Sequence, residues 1–211
     1  MNNILPWQGE IWEILTKNKS SIGHAILLKG KKGIGKLEFA KSLAKSLLCE
    51  DLISESQACG SCSGCRWFEQ GGHPDFYLVE PEALSESSGE IKDKLSSAKL
   101  KKKPSKQISV AQIRALNDVV NMSSHRSGYK IVLIHPAEAM NVAAANALLK
   151  NLEEPPPQTL FILVTHQPHH LLPTIHSRCR QIAMPVPDFN LAIDWLEKQG
   201  IKGAQDSLAA V

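Results

Sequence analysis

Ala25-Ile26-Leu27-Leu28, followed by Gly30-Lys31-Lys32-Gly33-Ile34-Gly35-Lys36, constrains this chain more than any other stretch. A short apolar run closed by glycine reads as a buried strand. Leu37, Ala40, Leu43, Ala44, Leu47 and Leu48 then recur at helical spacing, which predicts a helix from about Lys36 to Cys49. Strand, glycine loop and helix in that order open a βα unit. Further strands are expected at 76–79, 131–134, 160–165 and 181–184, and helices at 109–122 and 141–152. Ser109 and Gln112 form a capping box for the first of these helices, and Pro155-Pro156-Pro157 ends the second. A short helix around 11–15 and a helical turn at 172–175 complete the reading. Strands alternating with helices imply an α/β fold, a mostly parallel sheet with helices on both faces. Residues 80–106, rich in Ser, Glu and Lys, read as a mobile surface loop.

The chain has 211 residues, enough for one large domain or one domain and the start of a second. Pro185 and Pro187 mark the expected boundary: domain one at 1–185, and a helix from Phe189 to Lys198 opening a second domain at 186–211. With 43% apolar and 21% charged residues, the composition is that of a globular protein, not of a disordered or fibrous one. The net charge of +3 does not mark a nucleic-acid binder. The basic excess is local: Lys92, Lys94, Lys99, Lys101, Lys102, Lys103 and Lys106 share one stretch. No apolar run approaches the roughly 20 residues of a membrane span. The N-terminus lacks the basic and apolar regions of a signal peptide. A cytoplasmic, reducing location follows as the expectation, and there five cysteines suggest metal or catalysis before disulfides.

Gly30, Gly35 and Lys36 fit the spacing of a phosphate-binding loop, with Gly33 between them. Such a loop cradles an anion with backbone N–H groups at a helix N-terminus, and its lysine reaches the outer phosphates. Position 37 is Leu where the motif needs the hydroxyl of Ser or Thr for Mg²⁺. The strand at 131–134 runs into His135-Pro136 where a metal-positioning carboxylate belongs. A structural glycine turn, nucleotide binding without hydrolysis, and hydrolysis all remain readings of these residues, with two metal-handling positions opposing the last.

Cys49, Cys59, Cys62 and Cys65 lie close in sequence. Four thiolates can close a tetrahedral structural Zn²⁺ site. Zinc there would tie a loop of low apolar content to the helix end. An iron–sulfur cluster also uses Cys-x2-Cys-x2-Cys, although the closing Cys-Pro is absent, and metal-free surface thiols are the third reading. His73 is read as shaping the loop before Pro74.

The stretch Ala143-Ala144-Ala145-Asn146-Ala147-Leu148-Leu149-Lys150-Asn151-Leu152-Glu153-Glu154-Pro155-Pro156, taken with Ser177-Arg178-Cys179, resembles the clamp-loader branch of the AAA+ ATPases. The four-cysteine insert is similar to the zinc module of its bacterial members. The resemblance covers roughly residues 5–198. It implies an AAA+ P-loop-type domain with a zinc-binding insert at 49–65, the start of a helical lid, and a C-terminal collar domain lying outside this sequence. It further implies a subunit of the DNA polymerase III holoenzyme, in a ring that loads the sliding clamp onto primed DNA. The damaged metal positions match a stator member that does not hydrolyse ATP itself.

On that resemblance Arg178 is an arginine finger acting in trans on a neighbour's site, with Ser177 and Cys179 fixing its backbone and Cys179 in the core. Lys36 matches the phosphate-loop lysine. His135 and Pro136 replace the metal carboxylate and general base, and His166 takes the γ-phosphate sensor position. Glu153 and Glu154 form an acidic corner read either as holding subunit or lid contacts or as a solvated helix end. The implied partners are the ATPase motor subunits, the delta subunit, the sliding clamp and, through the assembly, primed DNA by phosphate contact; no membrane and no homo-oligomer are expected. The lysine run reads as a solvated loop or as a phosphate contact. The competing functions are an ATP-hydrolysing motor subunit and a zinc-bearing P-loop-like scaffold of another complex. No polymerase active site is legible in these residues.

Overall fold

The structure is a computed structural model that describes residues 4–17, 22–54, 56–88, 103–120 and 128–201. Five strands form one sheet: β1 (Ala25–Lys29), β2 (Phe76–Val79), β3 (Lys130–Ile134), β4 (Thr159–Thr165) and β5 (Arg180–Ala183). Their spatial order is β2-β3-β4-β1-β5, with every neighbouring pair parallel. Leu27 pairs with Leu163 on one side and Gln181 on the other. The central strands are wholly apolar or nearly so because both of their faces are covered.

Alternation along the strands sorts the core into two layers. Leu27, Val132, Ile134, Phe161 and Leu163 face α5 (Val110–Val120), α6 (Val142–Glu153) and α7 (Pro173–His176). Ile26, Leu28, Ile131, Leu133, Ile162 and Val164 face α1 (Gly9–Lys17) and α2 (Lys36–Leu48), where Trp12, Leu15, Phe39 and Leu43 complete the layer. Side chains start the helices as the sequence requires. Ala144 N–H donates to Asn141 Oδ1 at 2.8 Å at the start of α6. Ser109 N–H donates to Gln112 Oε1 at 2.8 Å, and Gln112 N–H donates back to Ser109 Oγ at 3.4 Å. Beyond Pro185 and Pro187, α8 (Phe189–Lys198) begins at Asp188, whose Oδ1 accepts from Asn190 N–H at 2.9 Å.

Two expectations are corrected. The stretch at 80–106 is not loop throughout: Glu82–Ser88 forms a helix, α4. Pro81 O accepts from the Leu84 and Ser85 N–H groups, and Ser105 O accepts from Ala83 N–H, so backbone pairing and not an apolar stripe holds this turn. Residues 89–102, with Lys92, Lys94, Lys99, Lys101 and Lys102, lie outside the described residues. The cysteine-rich segment, expected as a loop, is not loop throughout either. Ser63–Glu69 is helical, α3, and Cys62 caps it by accepting from Cys65 N–H at 3.3 Å. No helix among the described residues is long and apolar enough to cross a membrane.

Candidate functional site

In a parallel sheet the carboxyl ends of all strands share one edge, and the phosphate loop follows β1 there. Gly35 has φ +81°, which favours glycine, and a Cβ at that position would collide with Leu5 Cδ1. Lys36 is buried, and its Nζ turns back into the loop, donating to Gly30 O at 2.7 Å and to Lys31 O. Burial lowers its pKa to about 8, against the opposing charge of Glu138. Leu37, at the position of the missing hydroxyl, packs against the α1–α2 side of the core.

The loop also carries a cover that sequence reasoning did not find. A 3₁₀ turn at Pro6–Gln8 lies on it. Gln8 is fully buried and donates from Nε2 to Ile34 O at 3.0 Å and Gly35 O at 3.2 Å. Trp7 Nε1 donates to Ile34 O at 3.3 Å, and its ring meets Trp195 of α8 edge-on at 5.8 Å. These contacts span sequence separations that no local pattern signals.

His135 follows β3 and His166 follows β4, as their sequence positions require, with ring centroids 5.4 Å apart. His166 N–H donates to Glu138 Oε1 at 3.0 Å. His135 Nδ1, His166 Nδ1 and Glu138 Oε2 are buried without a hydrogen-bond partner. Burial, then the neighbouring His166, pushes the pKa of His135 down to about 4; burial, then Lys36, lowers that of His166. Both rings are therefore neutral at pH 7, where Mg²⁺ chemistry would need carboxylate. Glu138 was not singled out from sequence, since it stands beyond the end of β3 on a short 3₁₀ turn.

The four cysteines meet where α2 ends and α3 begins. Cys49 Sγ lies 3.6 Å from Cys59 Sγ and 3.9 Å from Cys62 Sγ, and Cys59 Sγ lies 4.0 Å from Cys65 Sγ. All four sulfurs lie within 4.8 Å of one another. With Zn–S near 2.3 Å, tetrahedral sulfurs stand about 3.8 Å apart, so this set fits a metal ion of that kind. Backbone N–H groups of Cys62 and Ser61 donate to Cys59 Sγ at 3.2 and 3.4 Å. Led by that of Cys62, such bonds lower the Cys59 pKa to about 6. Four close cysteines could thus hold a metal ion. His73 stays out of the set: its Nδ1 accepts from Asp75 N–H at 3.1 Å, and its ring packs edge-on against Trp67.

Arg178 sits at the other edge of the sheet, just before β5, which runs parallel to β1. Its Nη2 contacts Glu153 Oε1 at 2.6 Å, and Nη1 donates to Thr174 O at 3.0 Å and Ser177 Oγ at 3.3 Å. The side chain is 32% exposed. Cys179 is buried in the α5–α6–α7 layer, and burial pushes its thiol up to about 12, so it is a core residue and no part of the cysteine cluster.

A parallel β2-β3-β4-β1-β5 sheet with a phosphate loop after β1 is an AAA+ P-loop-type fold. A DNA polymerase III gamma-subunit-related protein from Thermotoga maritima has the same fold, with a TM-score of 0.54 at 24% identity over 89% of this chain and 52% of that one. Residues 7–188 match the family described as DNA polymerase III, delta subunit. The DNA polymerase III subunit delta' of Pseudomonas aeruginosa is 41% identical over 94% of this chain and 54% of its own length. That of Bacillus subtilis is 40% identical over 78% of this chain and 43% of its own length. The chain belongs to the delta-prime family of DNA polymerase III subunits. It spans about half the length of the curated relatives it matches.

Proposed function

We propose that this protein is a non-catalytic stator of the replicative sliding-clamp loader, lending Arg178 to the ATP site of a neighbouring motor subunit. The observation that carries this reading is the placement of Arg178, a partly exposed guanidinium at the sheet edge away from the chain's own phosphate loop. A guanidinium that reaches a neighbour's γ-phosphate stabilises charge developing in the transition state. Thr174 O and Ser177 Oγ orient the fork from within the same short segment, and buried Cys179 anchors the strand that follows.

The chain's own loop supports the non-catalytic half. Leu37 offers no oxygen to Mg²⁺, and Pro136 has no base. Gly30, Gly33 and Gly35 keep the loop's shape, so weak nucleotide binding without hydrolysis stays within the reading. Cys49, Cys59, Cys62 and Cys65 would hold a structural Zn²⁺, which closes the segment between α2 and α3 and takes no part in chemistry. The same reading divides the chain into a P-loop-type domain at 1–185 and the start of a lid at 186–211. It makes the motor subunits, delta and the clamp its partners in the cytoplasm, with primed DNA met through the assembly.

The test is to assemble the full-length protein with motor subunits and delta, and to compare clamp- and DNA-stimulated ATP turnover for wild type and Arg178→Ala. Arginine fingers contribute about 10³–10⁵ in rate, so a fall of at least about tenfold with assembly intact is expected. Full turnover in the variant would leave a structural stator without a finger. Turnover by the isolated chain would instead identify a motor subunit.

A further inference from the structure

We infer that Glu153 is the counter-ion that parks Arg178 on its own chain, and that a partner's phosphate takes the place of this carboxylate when the arginine engages. The inference deepens the reading above and rests on Arg178 acting in trans. Its ground is the 2.6 Å contact between Glu153 Oε1 and Arg178 Nη2, made across 25 residues of sequence.

The three acceptors around the guanidinium differ in kind. Thr174 O and Ser177 Oγ are neutral and belong to the α7 segment that carries Arg178, so they travel with it. Glu153 is charged and belongs to α6. Carboxylate and phosphate oxygens suit the same guanidinium geometry, so the two compete for Nη2. While the carboxylate stays, the fork presents little net charge to a neighbour.

One observation separates this role from a purely stabilising one. The pair is solvent-accessible, 32% on Arg178 and 49% on Glu153. Exposed pairs are weak, and a weak pair can exchange partners, whereas a buried pair would trap the arginine. Glu153 is thus a positioning residue: it sets where the fork waits and how readily it leaves.

The experiment uses the full-length protein assembled with the other loader subunits, as wild type, Glu153→Gln, Arg178→Ala and the double variant. Gln keeps an oxygen acceptor in place and removes the charge. The readout is kcat/KM for clamp- and DNA-stimulated ATP hydrolysis, with assembly checked by gel filtration. Releasing an exposed pair predicts a rise of about two- to five-fold for Glu153→Gln, and no change from the same substitution in the Arg178→Ala background. If Arg178→Ala lowers kcat/KM while Glu153→Gln leaves it unchanged or lowers it, the parking role is wrong and the finger stands. An equal effect of Glu153→Gln in both backgrounds also overturns it, because Glu153 would then act by another route. If Arg178→Ala turns over at the wild-type rate, the finger reading itself fails and the parking role fails with it.

Discussion

Removing metal from the four-cysteine site should unfasten one segment and leave the sheet standing. Three sulfur pairs are 3.6, 3.9 and 4.0 Å apart and all four sulfurs lie within 4.8 Å, against about 3.8 Å for an ideal Zn–S₄ tetrahedron, so binding needs shifts of about 1 Å or less. A site so close to its final geometry should bind tightly; structural zinc in small peptides is worth about 10–16 kcal/mol at pH 7. Apart from the cysteines, hydrogen bonds such as Ser46 Oγ to Ser56 O at 2.7 Å hold the segment between Cys49 and Cys65, with little apolar burial. Ala58 is buried there, while Ile53 is 68% exposed. Neither apolar layer of the sheet includes any of the four cysteines. Stripping the metal with a chelator, or replacing one ligand by Cys59→Ser, should therefore raise protease cutting between Asp51 and Gly60 by about 100-fold or more. The melting temperature of the sheet should fall by under about 5 °C, far less than the full metal energy would give at roughly 2–4 °C per kcal/mol, because the unfastened segment contributes to neither apolar layer. Metal analysis should find one zinc per chain, and titration with a mercurial should release it as four of the five thiols react, Cys179 lagging in the core. A chain purified without metal, whose cutting rate is the same in Cys59→Ser, would refute the assignment. Absorbance near 400 nm would replace zinc by an iron–sulfur cluster.

Gly35→Ala should lower stability by about 1–3 kcal/mol and alter Trp fluorescence, because the new Cβ meets Leu5 and the backbone is at φ +81°; equal melting temperatures would mean that the N-terminal turn does not rest on the loop. His135 should make stability fall with acidity. Its folded pKa, about 4, lies below the ordinary 6.5, so between these values the unfolded chain binds a proton that the folded chain refuses. The stabilisation is complete above about pH 6.5 and is lost as pH falls toward 4. Discounted for partial exposure, the effect is about 1–2 kcal/mol, so urea titrations at pH 7 and pH 5 should diverge less for His135→Gln than for wild type. Parallel slopes in the two proteins would remove His135 as the cause.

What the sequence disclosed followed the range of the interaction involved. β1, the loop and α2 were legible because strand burial and helical spacing are local, as was the capping box of Ser109 and Gln112. α3 was missed because a seven-residue helix shows too little periodicity and its cap is a thiol. α4 was missed because Leu84, 39% exposed, has no apolar stripe around it. The cysteines could be grouped from spacing, since a tetrahedral site needs only that a short loop return to the helix end. The Pro6–Gln8 cover and the Glu153–Arg178 pair could not be read, because each joins residues far apart in sequence.

The two edges of the sheet now carry a division of labour that fits the proposed function. On the proposed reading, the carboxyl edge binds nucleotide weakly at most and does not hydrolyse it. Leu37 brings no hydroxyl, two imidazoles follow β3 and β4 with Glu138 beside them, and Leu5 and Gln8 lie on Gly35. On the same reading, the amino edge carries the part that gives, a guanidinium oriented by its own segment and balanced by one exposed counter-ion. In a ring built from heterologous contacts each subunit uses two different faces, one to offer and one to receive. A subunit at the end of such an arc needs only the first. On that reading metal ligands at the receiving edge are dispensable to the assembly, and the residues there serve packing, as Leu37 does half-buried against the core.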